Sequence, residues 1–196
     1  MWWTRLFAVA VVLVCVLSAC TKHQPVAPPN KRVNPNQSER YRILLTFIDD
    51  PGASIRIEGE ATYAIAVGSA CLPVDYTRSL GGSKPIFESE RRKLDVRRVA
   101  DDSYAATIYL DHLIDEDYYG LGVCHWKPRA YFKLETMHNS SLFSLSDTEV
   151  AGESSRILFC DTSEPSRFAM SCVPEAAIGS RTMTRYFRVQ VQTHRE

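Results

Sequence analysis

Four carboxylates and two tyrosines crowd into one short stretch of this 196-residue chain: Asp111, Asp115, Glu116, Asp117, Tyr118 and Tyr119, with Gly120 closing the run. Carboxylates gathered at the end of a hairpin are the ligands a hard cation needs. The stretch begins as a calcium loop would, with Asp115, Asp117 and Gly120 at loop positions 1, 3 and 6. It then departs from one, because Tyr119 stands at position 5 and Trp126 at position 12, where a bidentate Glu is required. No metal is expected. What remains is a solvated acidic turn whose aromatic members suit protein contact. Asp115, Glu116, Asp117, Tyr118 and Tyr119 are the candidate partner-binding residues, and Tyr118 and Tyr119 as anchors would be worth more than about 1 kcal/mol to a complex.

The next segment, Gly120-Leu121-Gly122-Val123-Cys124-His125-Trp126, has a superficial likeness to a nucleotide-binding glycine loop. His125 occupies the place of the third glycine and no helix is predicted after it, so a dinucleotide site is not expected. The glycines are read instead as letting the backbone bend beside Cys124 while Trp126 packs over a disulfide, as in immunoglobulin-like domains. His112, His125, His138 and His194 form no H-E-x-x-H pair, and neither a G-x-S-x-G elbow nor a phosphate-binding G-x-x-x-x-G-K-[ST] loop occurs. Ser140 and Ser141 follow His138, yet a hydroxyl near a histidine activates nothing without geometry. The reading is of a protein that is not an enzyme and carries no cofactor.

The N-terminus supplies an address. Arg5 precedes an apolar run from Leu6 to Val16, followed by Leu17-Ser18-Ala19-Cys20, an aliphatic residue, two small residues and a cysteine. The run is too short to span a bilayer and has the length of an export signal. This is the pattern of a bacterial lipobox. Residues 1–19 are expected to be removed and Cys20 to be acylated, with more than one chain for stable anchoring. Thr21 follows the cysteine, in place of the Asp associated with inner-membrane retention. The expected location is the outer membrane, lipid-anchored and facing the periplasm.

Loss of residues 1–19 leaves 177 residues, enough for one core, with 22 basic and 23 acidic side chains. That balance predicts neither nucleic acid nor an anionic membrane surface as a partner. Cys71, Cys124, Cys160 and Cys172 remain, an even number in an oxidising compartment, so two disulfides are expected. Four cysteines allow three pairings. Cys160 with Cys172 is favoured because the two flank a turn-rich segment containing Pro165, which leaves Cys71 with Cys124. No C-x₂₋₄-C knuckle is present for zinc.

Residues 20–40 hold Pro25, Pro28, Pro29 and Pro35 among polar residues and read as a tether, with one folded domain over 41–196. Strands are predicted at Tyr41–Ile48, Ala53–Glu58 and Ala61–Val67, a meander, and at Lys93–Val99 and Ser103–Leu110, a hairpin about Ala100-Asp101-Asp102. Further strands fall at Gly122–Leu134, interrupted at Pro128, and at Arg156–Cys160 and Met183–Thr193. Glu88–Lys93 and Pro174–Ile178 suit short helical turns at most. Arg91, Arg92 and Lys93, with Arg97 and Arg98, read as the solvent face of an edge strand. The fold class is all-β: a β-sandwich, immunoglobulin-like or related, with a β-barrel as the alternative. The long connections 72–92 and 138–155 are where binding surfaces are expected.

Gly81-Gly82-Ser83-Lys84-Pro85, Tyr109-Leu110-Asp111 and the run from Asp115 to Trp126 together resemble a family of small proteobacterial lipoproteins found with type VI secretion loci. The resemblance extends over the stretch from Cys71 to Trp126, of which these runs are the most similar parts, and covers about a third of the mature chain. It implies a periplasmic immunity protein that binds and neutralises a lipase effector toxin. The alternative is a structural lipoprotein subunit of a secretion or envelope complex. The two differ in partner.

Overall fold

A computed structural model describes residues 26–49, 55–75, 84–135, 140–161, 172–178 and 186–196. The signal sequence, Cys20 and Gly81-Gly82-Ser83 lie outside the described residues.

Strand β1 (Arg40–Phe47) shows the physical rule that builds most of the fold. Tyr41, Ile43, Leu45 and Phe47 are buried while Arg40 and Arg42 are exposed, because successive side chains of a strand point to opposite faces. Strand β2 (Arg56–Ile65) joins two segments that the sequence reading separates at Gly59-Glu60. Gly59 is no turn. A Cβ placed there would lie 2.8 Å from Val96 Cγ2 and 3.0 Å from Leu94 Cβ, so the glycine permits close approach of a neighbouring chain.

The remaining strands are β3 (Val74–Asp75), β4 (Lys84–Pro85), β5 (Ser89–Leu94), β6 (Arg97–Ala100), β7 (Ser103–Tyr109), β8 (Trp126–Glu135), β9 (Ser140–Ser146), β10 (Ser155–Asp161), β11 (Cys172–Pro174) and β12 (Tyr186–Arg195). They form one sheet of order β11-β10-β12-β1-β7-β6 and a second of order β5-β2-β8-β9, with β3 and β4 as a small ribbon. Every pairing is antiparallel. Each large sheet keeps two edges, so the architecture is a β-sandwich and not a closed barrel. The expected meander is corrected: β1 and β2 belong to different sheets. The chain also changes sheets at Asp95-Val96, splitting the predicted Lys93–Val99 run between β5 and β6.

Between the sheets lie Ile43, Leu45, Ile108, Val189 and Val191 from one side and Ile65, Phe132, Leu134, Phe143 and Leu145 from the other, all buried. Phe132 stacks on Phe143 with ring centroids 5.2 Å apart. Pro128 is accommodated because β9 pairs only with Arg129 to Glu135, leaving β8 a single neighbour at the proline. Glu88–Lys93, expected as a helical turn, is mostly β5; its Arg91, Arg92 and Lys93 are on an edge strand, as the charge pattern predicts.

A short helix, α1 (Asp147–Ala151), crosses from β9 to β10. Ser146 Oγ accepts from Glu149 N while Glu149 Oε2 accepts from Ser146 N, a capping box. The S-x-x-E signal stands in the sequence, but a helix this short shows no periodicity.

The disulfides pair as favoured: Cys71 with Cys124 and Cys160 with Cys172. Neither is the inter-sheet bridge of an immunoglobulin domain. Cys160 and Cys172 face each other on adjacent strands, and Cys71–Cys124 ties two loops at the opposite end of the sandwich.

Part of the expected tether lies along the domain. Residues from Lys31 to Glu39 form a strap along the segment after β7, with Asn34 N donating to His112 O (2.8 Å), Ile114 N to Arg32 O (3.0 Å) and Leu110 N to Glu39 O (2.9 Å). Its polar composition hid this, since hydrogen bonds and not apolar burial hold it down.

Phe132 is fully buried in the centre of the core. Phe132→Ala is expected to lower stability by about 3–5 kcal/mol, read as a reduced urea midpoint with both disulfides intact.

Candidate functional site

The strap explains where the acidic cluster is placed. Asp111 Oδ2 accepts from Ser38 N (2.7 Å), Ser38 Oγ (3.2 Å) and Asn34 Nδ2 (3.2 Å), and its Oδ1 accepts from Glu39 N (3.2 Å). One carboxylate thus holds the strap. Glu116 pairs with Arg32 at 3.0 Å and also bridges through its backbone to Cys124. Asp117 Oδ1 accepts from Tyr119 N (3.3 Å) and Leu121 N (3.0 Å). Desolvation pushes the Asp117 carboxyl upward, but backbone N–H groups of residues 119–122 outweigh it and hold the carboxyl below its ordinary range.

Tyr118 and Tyr119 are half-buried, and their hydroxyls bond within the protein. Tyr118 Oη donates to Ile114 O (2.6 Å) and accepts from Trp126 Nε1 (3.1 Å). Tyr119 Oη donates to Glu88 Oε1 (2.9 Å). Burial raises both phenols, and the Glu88 carboxylate raises Tyr119 further. A partner reaching this loop therefore meets Asp115, Asp117 and His125 together with the exposed Leu121 and Val123, and not the two phenol hydroxyls.

Beneath the loop lies a polar layer that sequence reasoning missed. Glu88 is only 7% exposed and faces Lys31 Nζ at 3.6 Å as well as Tyr119. Lys31 Nζ also donates to Ser89 O and stands 5.9 Å from the Trp126 ring centroid. His112, 2% exposed, packs on Tyr63 and receives Arg92 Nη1 at 2.7 Å from its Nε2, while Gln37 Nε2 lies 3.0 Å from its Nδ1. Arg92 Nη1 also lies 3.1 Å from Nδ1, and since a guanidinium only donates, the imidazole must offer it an acceptor and is neutral in this arrangement. Burial and the Arg92 charge lower the His112 pKa. Burial pushes the Tyr63 phenol up to about 12. Each of these residues sits far from its partners in sequence, and no local pattern announces the layer.

The outer face of β5-β2-β8-β9 carries a groove of about 780 Å³. Register creates it: Lys93, Glu60 and Tyr131 stand side by side across three strands, and Glu58, Lys133 and Leu142 form the adjacent row. Arg91 and Phe87 line the same groove, and Phe87 is 61% exposed. Charges within it are partly paired, Arg91 with Glu60 at 3.9 Å and Arg56 with Glu58 at 2.7 Å.

One pair could handle a proton. Asp115 Oδ2 lies 2.7 Å from His125 Nδ1 and its Oδ1 accepts from Trp126 N at 2.9 Å, which orients the imidazole. Among the described residues, no hydrogen bond joins a serine, threonine or cysteine side chain to His125. No group of three or more His, Cys, Asp or Glu side chains suited to a metal is found among the described residues. No family model, curated protein or solved structure matches the chain.

Because the folded state keeps His112 short of protons relative to the unfolded chain, unfolding takes up a proton as pH falls below about 6.5. The His112 contribution to stability is therefore complete above that pH and declines on acidification. Urea unfolding at pH 5 and pH 7.5 is expected to show the loss, and His112→Gln to reduce the difference.

Proposed function

We propose that the protein is an outer-membrane lipoprotein, anchored through Cys20 and facing the periplasm, that binds and neutralises a lipase effector of a type VI secretion system. The observation that carries the binding role is the groove on the four-stranded sheet. Tyr131 occupies its floor between Glu60 and Lys133, with Arg91 and Phe87 at its side. Aromatic and arginine side chains on a rigid, hydrogen-bonded sheet are the groups that anchor protein interfaces at low entropic cost. Charged rows on both sides of the tyrosine supply registration and steering. The family resemblance of the Asp115–Trp126 run supplies the class of partner.

The groove replaces the Tyr118–Tyr119 loop as the favoured contact surface. Truncating Tyr118 or Tyr119 removes bonds to Ile114, Trp126 or Glu88, so it disturbs the fold before it reports on binding.

Co-expression of the exported chain with the toxin encoded beside it is expected to protect the host cell. Tyr131→Ala and Arg91→Ala together are expected to weaken the purified complex at least tenfold, on the order of the 1.4 kcal/mol that a factor of ten represents, without shifting the melting temperature. Full protection failure with the unaltered chain rejects the immunity role; recovery of an envelope-complex protein as the stoichiometric partner supports the structural alternative.

A further inference from the structure

The strap sets where the chain leaves the domain. Lys31 is held against Glu88, Ser89 and Trp126, so the N-terminal segment departs at the end of the sandwich that carries the Cys71–Cys124 disulfide. Val26 and Pro29 are still partly buried. From Val26 to Cys20 is six residue steps, a reach of at most about 22 Å, and from Lys31 at most about 40 Å. A domain of this size is itself roughly 40 Å across.

The same end is apolar. Val67, Val74, Leu121 and Val123 are 66%, 39%, 51% and 53% exposed, four of the ten exposed large apolar residues among those described. Topology gathers them. Val67 follows the end of β2, Val74 pairs with Pro85, and Leu121 and Val123 precede Cys124, which is bonded to Cys71. Of the charged groups around them, Lys31 is paired with Glu88 and Arg32 with Glu116, and Asp115 and Asp117 accept hydrogen bonds from His125, Trp126 N, Tyr119 N and Leu121 N. Such pairing lowers the cost of bringing this end into a headgroup layer.

We propose that this apolar end rests in the interface of the membrane leaflet to which Cys20 is anchored, so that the domain is oriented on the bilayer and does not float above it. The proposal rests on acylation of Cys20. Apolar side chains entering the headgroup boundary act as the second signal that makes acyl anchoring durable. With this end down, the groove on the β5-β2-β8-β9 face stays along the flank, open to the periplasm.

The test uses the full exported, acylated chain reconstituted in phosphatidylcholine vesicles whose lipids carry bromine near the head of the acyl chains. Trp126 is the single tryptophan of the mature sequence and is buried, so Trp126→Phe variants with Leu121→Trp or, at the opposite end, Val99→Trp report their own depth. Both variants are first required to keep two disulfides and a cooperative thermal transition. Brominated lipid is expected to quench Leu121→Trp at least twofold and to leave Val99→Trp unchanged. An acylated protein in which neither tryptophan is quenched, or both are quenched equally, overturns the orientation while leaving the anchor intact. A mature mass without acyl chains on Cys20 rejects the anchor itself and the proposal with it. If Leu121→Asp with Val123→Asp abolishes toxin binding while Leu121→Trp escapes quenching, the apolar end is a protein interface and the membrane proposal is wrong.

Discussion

A sandwich of two sheets buries its core from above and below but leaves both ends open, and closing those ends is the constraint on which the rest of this structure depends. Backbone groups at an open end must find partners or stay in water. Here one end is closed by the Asp111 carboxylate, which gathers Asn34, Ser38 and Glu39 and thereby lays the strap over the gap. The Cys71–Cys124 disulfide and the Glu88–Tyr119 bond complete that closure. At the other end Cys160–Cys172 staples neighbouring strands, and Asp49 accepts from Arg188 Nε at 2.7 Å and Nη2 at 2.8 Å.

The acidic cluster is a consequence of this closure. Asp111 holds the strap, Asp115 orients His125 and receives Trp126 N, Glu116 pairs with Arg32, and Asp117 caps the turn that carries Gly120 and Gly122. Those glycines have φ of 73° and 114°, the left-handed side of the map, where other residues are strained. A stretch that reads as a candidate binding surface is largely architectural. The surface proposed for a partner is instead the flank of the four-stranded sheet, where strand register sets the side chains in rows and the backbones are already hydrogen-bonded.

Much of the fold was legible because strands announce themselves locally. The alternation in Tyr41–Phe47, Tyr104–Ile108 and Phe187–Val191 names buried and exposed faces without any knowledge of neighbours. The charged run Arg91-Arg92-Lys93 likewise marked an edge strand. Gly59 misled, because a glycine inside a strand and a glycine in a turn look alike until the neighbour that needs the space, Val96, is known. The strap misled for the opposite reason: Asn34 and Ser38 resemble linker residues unless the distant acceptor Asp111 is seen beside them. The candidate groove was invisible, since Lys93, Glu60 and Tyr131 become neighbours only through pairings of β5 with β2 and β2 with β8.

By itself the sequence determined the all-β class, the burial faces of β1, β7 and β12 and the favoured pairing of the four cysteines from Cys71 to Cys172, because each depends on residue type and short-range spacing. Tertiary structure alone decided which strands share a sheet, that the segment from Lys31 to Glu39 belongs to the domain, that Tyr118 and Tyr119 turn their hydroxyls inward, and which side chains line the groove. Those outcomes depend on contacts between residues tens of positions apart. Local periodicity says which way a side chain points; only the closed chain says what it meets there.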